Sequence, residues 1–386
     1  MTSTLRARQI RYGGSLHWIL RAIVAAVLVV LVWRMVSGAV PSSLGKYTEA
    51  MALAIAALSL NLLFGFNGQI SIGHSTFAGI SAFFLGYSIR FWDNIAFVSL
   101  VEACVLCFLV GVVIGLPALR LKGPYLALVT LAIAYVWPTV ARQFIERKVT
   151  AVTGESALTK FLVRPPSWTG LKNTRQDRAL YLFWVALALM VLCYVVVRNL
   201  RTSRVGRSLV AVRDNETAAA VMGVNLARTK VLTFGVSAAM AGVSGWLIAA
   251  EIGTVDENSF TILTSIKYIL ALILGGAATL TGPIVGAFAY FFADDYLKRH
   301  APHWNWLPGK FGDGPIASFL LGVLVIGFVF IAPQGIVGLC RRIGRNIATV
   351  VPEPIRGPIR GPTHEPANEP NNLPNNLPNN LGESTS

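Results

Sequence analysis

Leu60-Asn61-Leu62-Leu63-Phe64-Gly65-Phe66-Asn67-Gly68-Gln69-Ile70-Ser71-Ile72-Gly73-His74-Ser75 leaves one uncharged apolar stretch, crosses a cluster of glycines, amides, hydroxyls and an imidazole, and enters a second apolar stretch. Inside hydrocarbon, backbone that leaves the helix is tolerated only where protein or a water-lined cavity surrounds it. Transporters use such interruptions to aim helix ends at a solute. The spacing alone leaves two readings open: a broken helix at membrane depth, or a plain short turn at the membrane face. Asn61, Gly68, Gln69, Ser71, Gly73 and His74 are the candidate pathway residues here, with His74 by itself read first as a hydrogen-bonded packing residue and only second as a ligand contact.

Outward from this stretch, the composition supports a membrane setting. Of 386 residues, 54% are apolar and 13% charged, and the mean hydropathy is +0.60. A soluble domain cannot cover its exterior from so little charge. Uncharged or nearly uncharged stretches recur at the length that crosses a hydrocarbon core. They predict about ten spans, some short or broken, at 18–36, 47–66, 70–88, 95–116, 124–144, 179–197, 231–250, 262–279, 283–297 and 315–332. The expected fold class is all-α, a polytopic transmembrane helical bundle. Pro124 and Pro315 suit first helical turns, and Pro138 is expected to kink its span.

The net charge of +15 comes from 33 Lys+Arg against 18 Asp+Glu. Basic residues gather in cytoplasmic loops, and no basic module interleaved with aromatics suggests nucleic acid. With both termini cytoplasmic, span parity sends the short loop at Arg120 and Lys122, the loop 198–230 and the start of the tail at Arg341 inside. The loop carries Arg198, Arg201, Arg204, Arg207, Arg213, Arg228 and Lys230 against Asp214 and Glu216. Residues 146–178 then form an external loop. The chain divides into a basic cytoplasmic N-terminus (1–17), a transmembrane domain (18–340) and a Pro/Asn-rich tail (341–386) too poor in apolar residues to fold. A cleaved signal peptide, with Ser37-Gly38-Ala39 as its site, is the rival reading of the first span.

Two further segments stand above generic membrane helix. Gly275-Gly276-Ala277-Ala278-Thr279-Leu280-Thr281-Gly282-Pro283-Ile284-Val285-Gly286 interrupts the apolar pattern between the eighth and ninth spans. Small residues let helices approach closely, so packing alone would also account for it. In the loop 198–230, Asp214 or Asn215 can cap a short helix through Ala218, Ala219 and Ala220, with Glu216 in the first turn and Gly223 as a stop. Such a helix is either a docking element or an interfacial helix lying on anionic lipid.

Intramembrane charges are few. Arg21 and Glu49 lie near span ends, where snorkelling suffices, and Glu102 lies deeper, facing a partner subunit or a cavity. Cys104 and Cys107 form a CxxC in an apolar stretch without nearby ligands, so free thiols rather than a metal site are expected.

At these segments the chain resembles the permeases of branched-chain amino acid ABC importers, the LIV type, and their M-type subunit in particular. The resemblance runs from about Gly45 to Leu339. It rests on the opening stretch, on Leu119-Arg120-Leu121-Lys122-Gly123-Pro124-Tyr125-Leu126-Ala127, on 206–223, on 275–286, and on Ala332-Pro333-Gln334-Gly335-Ile336-Val337-Gly338-Leu339. It implies a permease subunit in a plasma (inner) membrane, not an enzyme. Its implied partners are a second permease subunit in a heterodimer, two cytoplasmic ABC ATPases and an extracytoplasmic solute-binding protein. Arg207, Arg213, Asp214, Asn215, Glu216, Ala218, Ala219 and Gly223 would form the loop that couples to the ATPases. Gly275, Gly276, Gly282, Pro283 and Gly286 would form a second hinge in the pathway. No nucleotide-binding fingerprint occurs in the chain, as suits a subunit that borrows its ATPase, and neither cofactor nor metal is implied. One departure is Val152-Thr153-Gly154-Glu155-Ser156-Ala157-Leu158, where the family often carries a Thr-Gly-Gly-like external stretch.

A urea or short-amide importer of the same architecture is the alternative within this class. An ATP-independent carrier or channel would want a buried charge network that the sequence does not offer. A membrane enzyme would want catalytic groups clustered at one depth, and the sequence has five His, of which His17, His300 and His303 lie outside or near span ends.

Overall fold

The computed structural model describes residues 8–11, 40–92, 96–118, 124–144, 147, 161–172, 174–300 and 315–351. Twelve helices are described: α1 (Pro41–Leu60), α2 (His74–Trp92), α3 (Ala96–Ala118), α4 (Pro124–Phe144), α5 (Arg175–Thr202), α6 (Arg204–Asp214), α7 (Glu216–Val221), α8 (Leu226–Ile252), α9 (Ile262–Gly275), α10 (Gly282–His300), α11 (Pro315–Ile331) and α12 (Gly335–Ile347). One short parallel pairing, Arg8–Arg11 with Ala348–Val351, departs from the all-helical pattern and lays the segments before and after the bundle side by side. The first expected span, most of the external loop with its 152–158 stretch, the short loop at Arg120, and the tail from 352 lie outside the described residues. Helix α12 carries regular structure past residue 340, into the stretch read from sequence as tail.

Six described helical stretches are long and apolar enough to cross a membrane: Pro41–Phe66, Ala96–Leu116, Tyr125–Phe144, Arg175–Thr202, Leu226–Ile252 and Phe319–Arg342. They match six of the ten expected spans. The third, eighth and ninth expected spans correspond to α2, α9 and α10, which are shorter or more polar. Helix α9 has 14 residues, about 21 Å at 1.5 Å per residue, against a hydrocarbon core of about 30 Å. It ends at Gly275, where the backbone leaves the helix within protein. Helix α4 continues through Pro138.

Helices α1 and α8 form the centre and are buried along most of their lengths, whereas α3, α4, α5 and α11 expose apolar flanks such as Val105, Leu109, Tyr135, Val191 and Phe330. In a bilayer that is the expected inversion: the outer helices turn their apolar sides to lipid or to another membrane subunit. Close approach at the centre depends on small residues. A Cβ on Gly245 of α8 would strike the backbone of Ala78 in α2, and one on Gly242 would lie 2.8 Å from Cys107 Sγ in α3. Some polar side chains in this centre bond across helices: Trp246 Nε1 donates to Ser99 Oγ at 3.1 Å and Cys107 Sγ to Phe77 O at 3.3 Å.

The helices alternate in direction, so two ends are defined by contact. At one end lie 61–68, the α6–α7 loop, 275–282 and Gln334. At the other, Lys46 of α1 pairs with Asp295 of α10 at 2.9 Å, and Arg178 of α5 donates to Ala250 O of α8 at 2.7 Å. Because the obstacle at Gly245 is backbone, Gly245→Val should lower stability by about 1–3 kcal/mol or more, read as a drop in the melting temperature of the purified protein. An unchanged melting temperature would contradict the α2–α8 contact.

Candidate functional site: two helix breaks joined to a loop

Helix α1 does not end in an ordinary cap. It widens into a π-helical turn, Asn61–Phe66, and closes at Gly68, whose φ of +72° is left-handed. Gly68 N–H then bonds Phe64 O at 3.2 Å and Gln69 N–H bonds Leu63 O at 3.0 Å, a glycine terminus stretched by the π register. The chain runs extended to His74, where α2 begins. Within this break Asn61, Asn67, Gln69, Ser71 and His74 are buried, whereas Gly68 and Ile70 are exposed.

Neighbouring helices satisfy the exposed backbone of this break. Ile72 N–H bonds Thr130 Oγ1 of α4 at 3.0 Å, and Ser75 N–H bonds Ser265 Oγ of α9 at 2.9 Å. Gly73 lies so close to Thr130 O that a Cβ there would stand 2.5 Å from it. His74 bridges Ser71 Oγ at 3.0 Å and Ser237 Oγ of α8 at 2.8 Å. Ser237 gives its single hydroxyl hydrogen to Ser59 O at 2.6 Å, so it accepts from His74 Nε2–H, and Nδ1 of the neutral ring accepts from Ser71. His74 is therefore a cross-link among α1, α2 and α8, the packing role read first from the sequence.

The second break meets the first through one side chain. Asn61 Oδ1 accepts from Ala278 N–H at 2.8 Å, and Asn61 Nδ2 donates to Thr279 O at 2.7 Å. Ala278 has a φ of +61°, uncommon without glycine, and the amide of Asn61 holds it there. Gly276 is also left-handed, at +108°, with Gln334 O against it. Thr279 Oγ1 donates to Gly276 O at 2.7 Å and accepts from Gly282 N–H at 3.0 Å, opening α10 with Pro283 in its first turn. Gly275 and Gly286 let α9 and α10 meet at backbone distance. The sequence could not pair Asn61 with Ala278, because 217 residues separate them and each segment explains itself locally.

The loop 198–230 folds as two capped helices where one short capped helix was expected. Ser203 Oγ caps α6 by accepting from Gly206 N–H, and Asn215 Oδ1 caps α7 by accepting from Ala218 N–H at 3.0 Å. Of the two possible caps, Asn215 acts. Asp214 instead ends α6 and pairs with Arg213 at 3.1 Å. Glu216 pairs with Lys230 of α8 at 2.7 Å, Ala219 is buried, and Gly223, with φ of +82°, follows the end of α7. Arg207 and Ala218 are exposed. Arg213 reaches back from α6: its Nη1 donates to Gly65 O in the first break at 2.8 Å, and its stem lies against Gly68. Sequence reasoning missed Val221 and Met222, which are 82% and 85% exposed at the tip of the loop; their apolar character next to Gly223 was the available signal.

Comparison with known proteins fits this geometry. Residues 42–332 match the family model described as the branched-chain amino acid transport system permease component, and the chain belongs to that family. It is 27% identical over 317 residues to the high-affinity branched-chain amino acid transport system permease protein LivM of Salmonella typhimurium, covering 76% of this chain and 69% of that protein. It is 28% identical over 155 residues to the permease protein LivH of Escherichia coli, covering 40% and 46%. It is also 31% identical over 171 residues to the autoinducer 2 import system permease protein LsrC of an Enterobacter species, covering 41% and 49%. No solved structure matches the chain.

Removing the Asn61 amide takes the partners from the half-buried Ala278 N–H and Thr279 carbonyl, at about 1 kcal/mol each. Asn61→Ala should therefore lower the melting temperature and abolish solute uptake at unchanged membrane level. Retention of both would show that the two breaks are not joined through this residue.

Proposed function

We propose that this chain lines one half of the pathway of an ATP-driven importer for branched-chain or related amino acids in the plasma (inner) membrane. A second permease subunit completes the pathway as a heterodimer, two cytoplasmic ABC ATPases supply energy, and an extracytoplasmic binding protein delivers solute. The observation that carries this reading is the Arg213 contact with Gly65. It ties a water-exposed loop to the first helix break, and Asn61 ties that break to the second. Displacement of the loop is transmitted to both breaks through two side chains.

The α6–α7 loop is suited to dock on an ATPase. Lys230 and Glu216 brace α7 against α8, so the loop moves as a unit, and Val221 and Met222 offer an apolar tip on a polar surface. Arg207 and Asp214 of the same loop are exposed as well. Closure of the ATPases brings the loops of the two permeases together and tilts α1, α9 and α10 about 61–73 and 275–286 between outward-open and inward-open states. This reading puts the loop end in the cytoplasm and the Lys46–Asp295 end outside.

The solute is tested by uptake of labelled leucine with and without the gene, urea in parallel and an ATP-depleted control. Loss of ATP-dependent leucine uptake on deletion is expected. Loss of urea uptake alone would favour the short-amide alternative, and uptake that survives ATP depletion would overturn the importer reading.

Coupling is tested separately. Val221→Asp with Met222→Asp should leave membrane level unchanged while the ATPase subunits no longer co-purify and uptake falls at least about tenfold, the equivalent of 1.4 kcal/mol. Unimpaired co-purification would remove the docking role from this tip.

A further inference from the structure

At the end of the bundle opposite the loop, two cavities of about 350 and 290 Å³ share the carboxylate of Glu49 on α1. Glu251 of α8 and Arg178 of α5 also line the larger one. Leu53, Ile248 and Phe260 form an apolar wall of the smaller one. Both volumes are near the lower bound of small-molecule sites, about 300–1,000 Å³.

Bases also line these cavities, Lys46 and Arg175 the larger and Lys267 and Lys298 the smaller. Lys46 and Arg299 are both committed to Asp295, at 2.9 and 2.7 Å, and Lys298 to Asp294 at 2.6 Å. Among the described residues neither Glu49 nor Glu251 has a basic partner within 4.0 Å. Glu251 Oε2 is buried without a hydrogen-bond partner, and so is Arg178 Nε, although Arg178 Nη2 bonds Ala250 O. Glu251 lies in the fields of Arg178, Glu49 and Arg175, and Glu49 in those of Asp295, Lys298 and Lys267. Buried polar atoms without partners are costly, and the accessible parts of the same two side chains line one cavity with Glu49, where a guest carrying both charges can pair with them.

We infer that these neighbouring cavities, which share Glu49 and Ile252 as lining, bind a zwitterionic α-amino acid, with its ammonium at Glu49 and Glu251, its carboxylate at Arg178, and its aliphatic side chain against Leu53, Ile248 and Phe260. The inference rests on the amino-acid reading above and adds the groups by which this subunit itself recognises the solute. A neutral amide such as urea would leave both charges open, and sites built around buried polar groups reject guests that cannot pair them.

The test is equilibrium binding of labelled leucine to the assembled permease–ATPase complex in lipid nanodiscs, without the binding protein. The complex should bind leucine, and Glu49→Gln and Glu251→Gln should each weaken binding at least about tenfold, as expected for losing a hydrogen bond to a charged group. On the unmodified complex, leucinamide, which lacks the carboxylate, and 4-methylpentanoate, which lacks the ammonium, should displace leucine at least about tenfold less well. That arm needs no variant to fold. Unchanged affinity in both variants, with or without a loss of thermal stability, would overturn the site, as would analogues that displace as well as leucine. Absence of binding to a complex whose complete importer still takes up leucine would sink this inference alone. Failure of the complete importer to take up any amino acid would sink the reading on which it rests.

Discussion

The carboxamide of Asn61 is the point on which the interior depends. Two helices are interrupted, and one buried side chain supplies a donor and an acceptor to the second interruption from the start of the first. Its chemistry is specific: a carboxylate could not donate to Thr279 O, and a hydroxyl could not span both groups. The left-handed Ala278, the close α9–α10 contact and the seat of Gln334 against Gly276 all follow from holding 276–279 in this shape.

Around that point the bundle is arranged by two kinds of contact. Small residues in α2, α3 and α8 bring backbones together, where dispersion and short cross-links through Ser237, Ser265 and Thr130 hold them. Ionic contacts stay at the two ends, Lys230 with Glu216 at one and Lys46 with Asp295 at the other. Charge is thus kept where solvent lowers its cost, and hydroxyls and amides serve in the middle.

Much of this was legible in the sequence. Apolar runs identify six spans because length and hydropathy report directly on lipid contact, and the glycine-rich and loop segments stand out by composition. The third, eighth and ninth spans were read less well because α2, α9 and α10 face protein over much of their surface, where polarity is tolerated and hydropathy loses meaning. Glu49 was read as a snorkelling residue; only the fold brings it beside Glu251, on a helix some two hundred residues later. The same holds for Arg213, one of several arginines in a basic loop until its contact with Gly65 distinguishes it.

The central position of α1 has a consequence for how the protein is made. Chains are synthesised from the N-terminus, so α1 exists in the membrane before α8 or the 275–282 turn has left the ribosome. A helix destined for the protein interior must therefore first survive as a lipid-exposed one. That explains why its most buried stretch reads Met51-Ala52-Leu53-Ala54-Ile55-Ala56-Ala57-Leu58, apolar on every side. Its hydroxyls can bridge the wait by bonding to their own helix, as Thr48 does to Leu44 O and Ser59 to Ala56 O. Asn61 has no such provision among its hydrogen bonds in the finished fold. Its amide must wait for residues 278 and 279, which leave the ribosome more than two hundred residues later.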